Sequence, residues 1–210
     1  MKIAILNLIC LLFITGVAHA QISITWVDSI SSDFAFTQNW SYEEGVFPNR
    51  HGQISCDGFC PEGAIELKDD TGRIPEDSLA KFYRLVDTSH LYYSLKGQVS
   101  AYEFGVSNYI NCKWVGKECH CFTRGNAATH SGLVLTLIGD SGTVRMNFVS
   151  ITLLPATSFS LKSGWIKVDQ GMFKKNILKA EFDFNFENHL NTAFPLFWKG
   201  VILREIENKN

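Results

Sequence analysis

Ile177-Leu178-Lys179-Ala180-Glu181-Phe182-Asp183-Phe184-Asn185-Phe186 alternates without a break. Leu178, Ala180, Phe182, Phe184 and Phe186 fall on one side of a pleated strand, and Lys179, Glu181, Asp183 and Asn185 on the other. One face belongs to a core and the other to solvent, the pattern of an antiparallel sheet covered on one side. The same period of two predicts strands over residues 99–104, 106–115, 119–122, 133–138, 143–149, 165–168 and 197–206. In the second of these Val106, Ile110, Cys112 and Trp114 share a side, so Cys112 points inward. Cys119 and Cys121 likewise share a face, with His120 on the other. Gly139-Asp140-Ser141-Gly142 joins two of the strands as a four-residue hairpin connection. The expected fold is mostly β: an antiparallel β-sandwich or barrel-like domain with one or two short helices.

The first half of the chain is less regular. Residues 22–39 alternate loosely around Trp26, Val27, Phe34 and Phe36, which suggests a strand or two. Residues 40–54 hold Gly45, Pro48, Asn49 and Gly52 and are expected to form a packed loop. Ser55-Cys56-Asp57-Gly58-Phe59-Cys60-Pro61-Glu62-Gly63 follows, an Asp-Gly turn between two cysteines and then the chemistry of a first helical turn. Helices are predicted over residues 61–68 and 75–88. In the second, Leu79, Phe82, Tyr83 and Val86 make one apolar stripe, expected to dock on the sheet.

The run Lys179-Ala180-Glu181-Phe182-Asp183-Phe184, with Phe197-Trp198-Lys199-Gly200-Val201-Ile202 after it, resembles the closing strands of small exported bacterial β-sandwich proteins of uncharacterised function. The likeness covers the C-terminal strands alone. It implies a sandwich and an envelope or secreted location, without an activity.

Residues 1–20 have the form of a secretory leader: Lys2, an apolar stretch from Ile3 to Val17, and Ala18-His19-Ala20 as a small-x-small signal for cleavage after Ala20. The apolar stretch is too short, and too interrupted at Asn7 and Thr15, for a membrane span. Cys10 follows Ile9 inside it, which is not the setting of a lipid-accepting cysteine. Residues 21–210 are then expected to be one exported domain with no membrane span, long enough to bury a real core. The formal charge is −2, one unit more negative once Lys2 is lost, and no basic run occurs. Nucleic acid is therefore not an expected partner, and an envelope protein or a glycan is the partner class left open.

Cys56, Cys60, Cys112, Cys119 and Cys121 follow the leader, and an oxidising compartment favours disulfides among them. The number is odd, so one thiol stays free, pairs outside the chain or binds something. At least one of Cys56 and Cys60 is expected to bridge to the later trio, because closing the longer loop removes more unfolded-state entropy.

Four chemistries compete with a plain structural role. Gly139-Asp140-Ser141-Gly142 has the letters of a serine-protease nucleophile segment, but His130 is too near for that arrangement and the turn is preferred. Cys119, His120, Cys121 and His130, with Cys112 beside them, carry zinc-ligand atoms at spacings that match no standard pattern. His51, Asp57, Glu62, Asp69, Asp70, Glu76, Asp77, Asp87 and His90 supply acids and bases for a hydrolase, although turn and helix-start roles explain most of the carboxylates. Trp26, Trp40, Trp114, Trp165 and Trp198 include candidates for a sugar-stacking platform, against the usual burial of tryptophan. Asn39-Trp40-Ser41 also fits the N-glycosylation pattern.

The leading expectation is a non-catalytic binding or structural module of the envelope or secreted fraction, with no catalytic residue and no cofactor assigned. The alternatives are a metal-binding protein or hydrolase using residues 51–130, and a carbohydrate-binding module. N-terminal analysis of protein purified from its native host is expected to begin at Gln21; retention of Met1 refutes the leader.

Overall fold

The computed structural model describes residues 21–43, 45–57, 60–103, 105, 107–123, 130–149 and 156–208; the leader, Phe104 and Val106 lie outside them. Strands follow in the order β1 (Gln21–Val27), β2 (Trp40–Ser41), β3 (Val46–Pro48), β4 (Ile54–Cys56), β5 (Leu91–Tyr92), β6 (Leu95–Ser100) and β7 (Ile110–Val115). Then come β8 (Glu118–Thr123), β9 (Ser131–Ile138), β10 (Ser141–Phe148), β11 (Thr157–Asp169), β12 (Ile177–Phe186) and β13 (Leu196–Glu207). Two short α-helices accompany them, α1 (Leu79–Leu85) and α2 (Gln170–Phe173). No helix among the described residues is long and apolar enough to cross a membrane.

Eight strands close into a barrel in the order β12-β11-β1-β10-β9-β8-β7-β13, with β12 and β13 paired to complete the ring and β6 added on β13. Alternation explains the filling. Leu178, Ala180, Phe182, Phe184 and Phe186 of β12 point inward with Leu133, Leu135 and Leu137 of β9, Val144, Met146 and Phe148 of β10, and Trp198 and Ile202 of β13. The barrel interior is thus a packed core. Its ends are covered as well. At one, Phe173 of α2 has its ring 5.1 Å from that of Trp26 and 5.4 Å from that of Trp114. At the other, Tyr102 packs on Phe148, Phe159 and Phe194 and bonds through its hydroxyl to Asn188.

Two local devices let the sheet curl. Gly97 of β6 and Gly200 of β13 are paired and share the strand parity of the buried Leu95, Trp198 and Ile202, although Gly97 itself is exposed. A Cβ on Gly97 would lie 2.7 Å from the Lys199 carbonyl oxygen, and one on Gly200 would meet the Lys96 carbonyl and lie 2.7 Å from Gly97 Cα. Glycine is what allows this close approach at a bend. In β11 the register against β12 shifts between Leu161 and Ser163, a one-residue bulge that exchanges the inward phase of Phe159 and Leu161 for that of Ile166 and Val168.

Between β1 and β6 the chain makes an excursion with its own small core of Val46, Cys56, Ala64, Ile74, Phe82 and Val86. Its neck is the β2–β5 ladder, Trp40 opposite Tyr92 and Ser41 opposite Leu91. Several sequence expectations change here. Residues 40–54 contain β2, β3 and the start of β4 rather than a loop alone. The helix expected at 61–68 is reduced to turns and a 3-10 segment, Ile65–Leu67, since Gly63 at φ 78° interrupts it. The second helix is a 3-10 turn, Glu76–Ser78, running into α1, and it ends where Val86 turns extended. Phe82 and Val86 are buried as expected, but in the excursion's own core rather than on the barrel sheet, and Tyr83 faces solvent.

The remaining differences are of boundary. β6 begins at Leu95 and β7 at Ile110. The hairpin of β9 and β10 has two loop residues, Gly139 and Asp140, because Ser141 already pairs with Ile138. Gly139, at φ 53°, takes the left-handed position that such a tight loop needs. The first half of β11 and all of α2 went without a sequence signal. Replacing Gly200 by alanine is expected to destabilise the barrel by about 2 kcal/mol or more, measured by urea unfolding; an unchanged midpoint would show that the two strands part freely there.

Candidate functional site

The strand registers assemble a surface that no single stretch of sequence displays. Across β11, β12, β13 and β6, Trp165 lies opposite Asp183, Asp183 opposite Lys199, and Lys199 opposite Gln98. The next outward row runs Lys167, Glu181, Val201 and Lys96. With Ser32 and Asp33 from the segment after β1, these rows line an open groove of about 510 Å³, Lys167 standing at its side. The Trp165 ring is half-buried, so part of it faces the groove. Lys167 Nζ stands 4.8 Å from the Trp165 ring centre and 4.0 Å from Glu181 Oε2, while Lys96 Nζ lies 3.3 Å from Asp33 Oδ2. Hydrogen bonds from the Ala35 backbone N–H and from Lys96, then the Lys96 charge, hold the Asp33 carboxyl below its ordinary range.

Three carboxylates (Asp33, Glu181, Asp183) thus face three ammonium groups (Lys96, Lys167, Lys199). The groove is close to neutral, rich in donors and acceptors, and carries the indole of Trp165. A second groove, over Thr136, Thr143, Arg145, Asn147, Ser158 and Ser160, is polar but has no aromatic ring in its lining.

The other tryptophans take different roles. Trp198 is core. Trp26 and Trp114 cap the barrel end, donating through Nε1 to Asp140 at 2.8 Å and to Asn176 at 3.1 Å. Trp40 is 40% exposed and stacks on His90 with ring centres 3.6 Å apart, clasping the neck of the excursion together with Tyr42 and Tyr92.

The metal-ligand candidates do not converge. Cys119 and Cys121 point into the barrel, and Cys121 is bonded to Cys112, its direct partner across β7 and β8. His120 faces outward and lies 2.8 Å from Glu118, and His130 lies 2.6 Å from Glu103. Among the described residues no three histidine, cysteine or acid side chains gather around one point.

The acids of residues 51–90 mostly serve turns. Asp69 accepts from the Thr71 hydroxyl and from the backbone N–H of Thr71 and Arg73, and these bonds, the hydroxyl's first, hold its carboxyl below the ordinary range. Asp87 accepts from Ser89 in the same way. Ser141, in the segment with protease letters, is a strand residue bonded to the Ile138 carbonyl.

The cysteines also correct an expectation. Cys56 is bonded to Cys60, with Cα atoms 5.4 Å apart, so no long bridge ties the excursion to the sheet. Local geometry prevails over loop entropy because Cys56 ends β4 and Cys60 returns beside it, whereas Cys112 and Cys121 already face each other. The odd thiol is Cys119, fully buried, with Sγ 3.7 Å from Cys121 Sγ. Burial pushes this thiol up to about 12.

No protein-family model, curated protein or solved structure matches the chain.

Non-reducing peptide mapping is expected to recover Cys56 joined to Cys60 and Cys112 joined to Cys121. Because the thiolate is the reactive form, iodoacetamide should leave Cys119 unmodified in folded protein even at mildly alkaline pH and modify it at once in denaturant. Rapid labelling of Cys119 in the native state would contradict the pairing or the burial.

Proposed function

We propose that this is an exported, non-catalytic binding module that takes a neutral, hydroxyl-rich ligand, an oligosaccharide, along the outer groove of its barrel. The observation that carries the proposal is the row Trp165, Asp183, Lys199 and Gln98, in which a half-exposed indole stands beside acceptors and donors set in register by the strands. Sugar rings present an apolar face of C–H groups and an equatorial rim of hydroxyls. An indole serves the first, and carboxylate, ammonium and amide groups serve the second. The balance of charge in the groove disfavours a polyanion, and its volume lies within the range of ligand sites. The floor is rigid, being a sheet backed by Phe182, Phe184 and Trp198, so little ordering is required when a ligand arrives. Export is supported by the leader and is compatible with two disulfides.

Isothermal titration of the mature protein against a panel of neutral oligosaccharides tests the proposal. At least one is expected to bind, and Trp165→Ala should weaken it by about 2 kcal/mol, roughly thirtyfold, with Asp183→Asn weakening it less and both variants folded by circular dichroism. Absence of binding across the panel, or binding indifferent to Trp165→Ala, would remove the groove from consideration. Release of shortened sugars by the wild-type protein, abolished by Glu181→Gln or Asp183→Asn, would make the same groove a hydrolase site instead.

A further inference from the structure

A second cluster lies on the excursion, away from the groove residues. His51, in the loop between β3 and β4, receives two guanidinium groups at one nitrogen: Arg50 Nε is 3.0 Å from His51 Nε2, and Arg73 Nη2 is 2.6 Å from the same atom. All three side chains are exposed. Both loops that carry them are braced. Asn49 accepts through Oδ1 from the His51 and Gln53 backbone N–H groups, and Asp69 does the same for Thr71 and Arg73. Gln53 ties one loop to the other by donating to the Ile74 carbonyl at 2.9 Å. The two arginines are thus brought together by ordered turns.

This arrangement is unbalanced in two ways. A neutral imidazole nitrogen offers one lone pair, and two donors are aimed at it. Two positive charges also share one small region, and among the described residues neither guanidinium has a carboxylate within ion-pair distance. The crowded charges also act on His51, whose imidazole is held below its ordinary range by the Arg73 charge first, then by desolvation and the Arg50 charge. Asp69, the acid in the Arg73 turn, uses Oδ1 for the turn itself and offsets the Arg73 charge only through space, as the smallest of the causes that lower its carboxyl. Both side chains are exposed, and among the described residues the other N–H groups of the two forks have no hydrogen-bond partner. A planar fork on each side, with an imidazole between, matches a tetrahedral oxyanion, which offers several acceptors at once and neutralises the paired charges.

We propose that Arg50, His51 and Arg73 form a receptor for a tetrahedral oxyanion, sulfate or phosphate, either free or as a monoester. This site is independent of the sugar groove and stands whether or not the groove binds a glycan.

Side-chain NMR of the mature chain tests it, following the His51 ring and the Arg50 and Arg73 Nε–H signals. Inorganic sulfate, inorganic phosphate and glucose 6-phosphate are titrated separately, with sodium chloride adjusted to hold ionic strength constant. A saturable shift at all three residues is expected. Arg50→Gln or Arg73→Gln should weaken binding about tenfold, because a charge-assisted fork is lost. Arg73→Lys should recover only part of it, since an ammonium keeps the charge without the fork. Tighter binding of the ester than of free phosphate identifies a monoester as the ligand, and equal binding identifies the free ion. A shift that never saturates, that chloride reproduces, or that survives both Gln variants overturns the proposal. All variants are exposed-surface changes whose folding is checked by an unchanged near-ultraviolet circular dichroism spectrum.

Discussion

An eight-stranded sheet has two edges, and the ladder between β12 and β13 joins them. Every residue of β12 has a partner on β13, from Ile177 opposite Glu205 to Phe186 opposite Leu196. Closure removes exposed strand edges from the ring and forces one face of every strand into a shared interior. The other features follow from that. Inward residues must be mostly apolar, which accounts for the phenylalanines of β12 and the leucines of β9 in one core. The strands must bend, which accounts for the paired glycines of β6 and β13 and for the bulge in β11. Outward residues are released from packing, which leaves β11, β12, β13 and β6 free to carry the row of Trp165, Asp183, Lys199 and Gln98.

What can be seen in the sequence depends on how local its cause is. The strand Ile177–Phe186 is unmistakable because its alternation is uninterrupted, and its neighbours in the second half are visible for the same reason. β11 is only half visible. Its inward residues are Phe159, Leu161, Ile166 and Val168, and the bulge places an odd step between the second and third, so a period-two pattern begun at either end fails at the middle. The excursion is hidden differently. Its strands are two or three residues long, too short for any period to register, and its core is assembled from scattered single residues. The groove could not be found from sequence at all, because Trp165, Asp183, Lys199 and Gln98 come from four strands and share only a register.

The cysteines show the same contrast between local and distant causes. The facing of Cys112, Cys119 and Cys121 into the core is a matter of parity, and parity is readable. Pairing is a matter of register, in which Cys112 meets Cys121 while Cys119 meets Trp114. Cys119 is left without a covalent partner in an apolar interior. Its burial settles the odd count in favour of a plain core side chain, small and apolar in its un-ionised form, rather than a link to a second chain.

The neck of the excursion makes that segment separable from the barrel. Because Trp40 and Tyr92 stand opposite each other, the chain departs and returns through adjacent positions, and the fifty residues or so between them form a closed circuit with its own core and its own disulfide. None of the barrel's strand pairings passes through that circuit. The circuit can therefore be lengthened, shortened or exchanged as a cassette without breaking a strand pairing of the barrel.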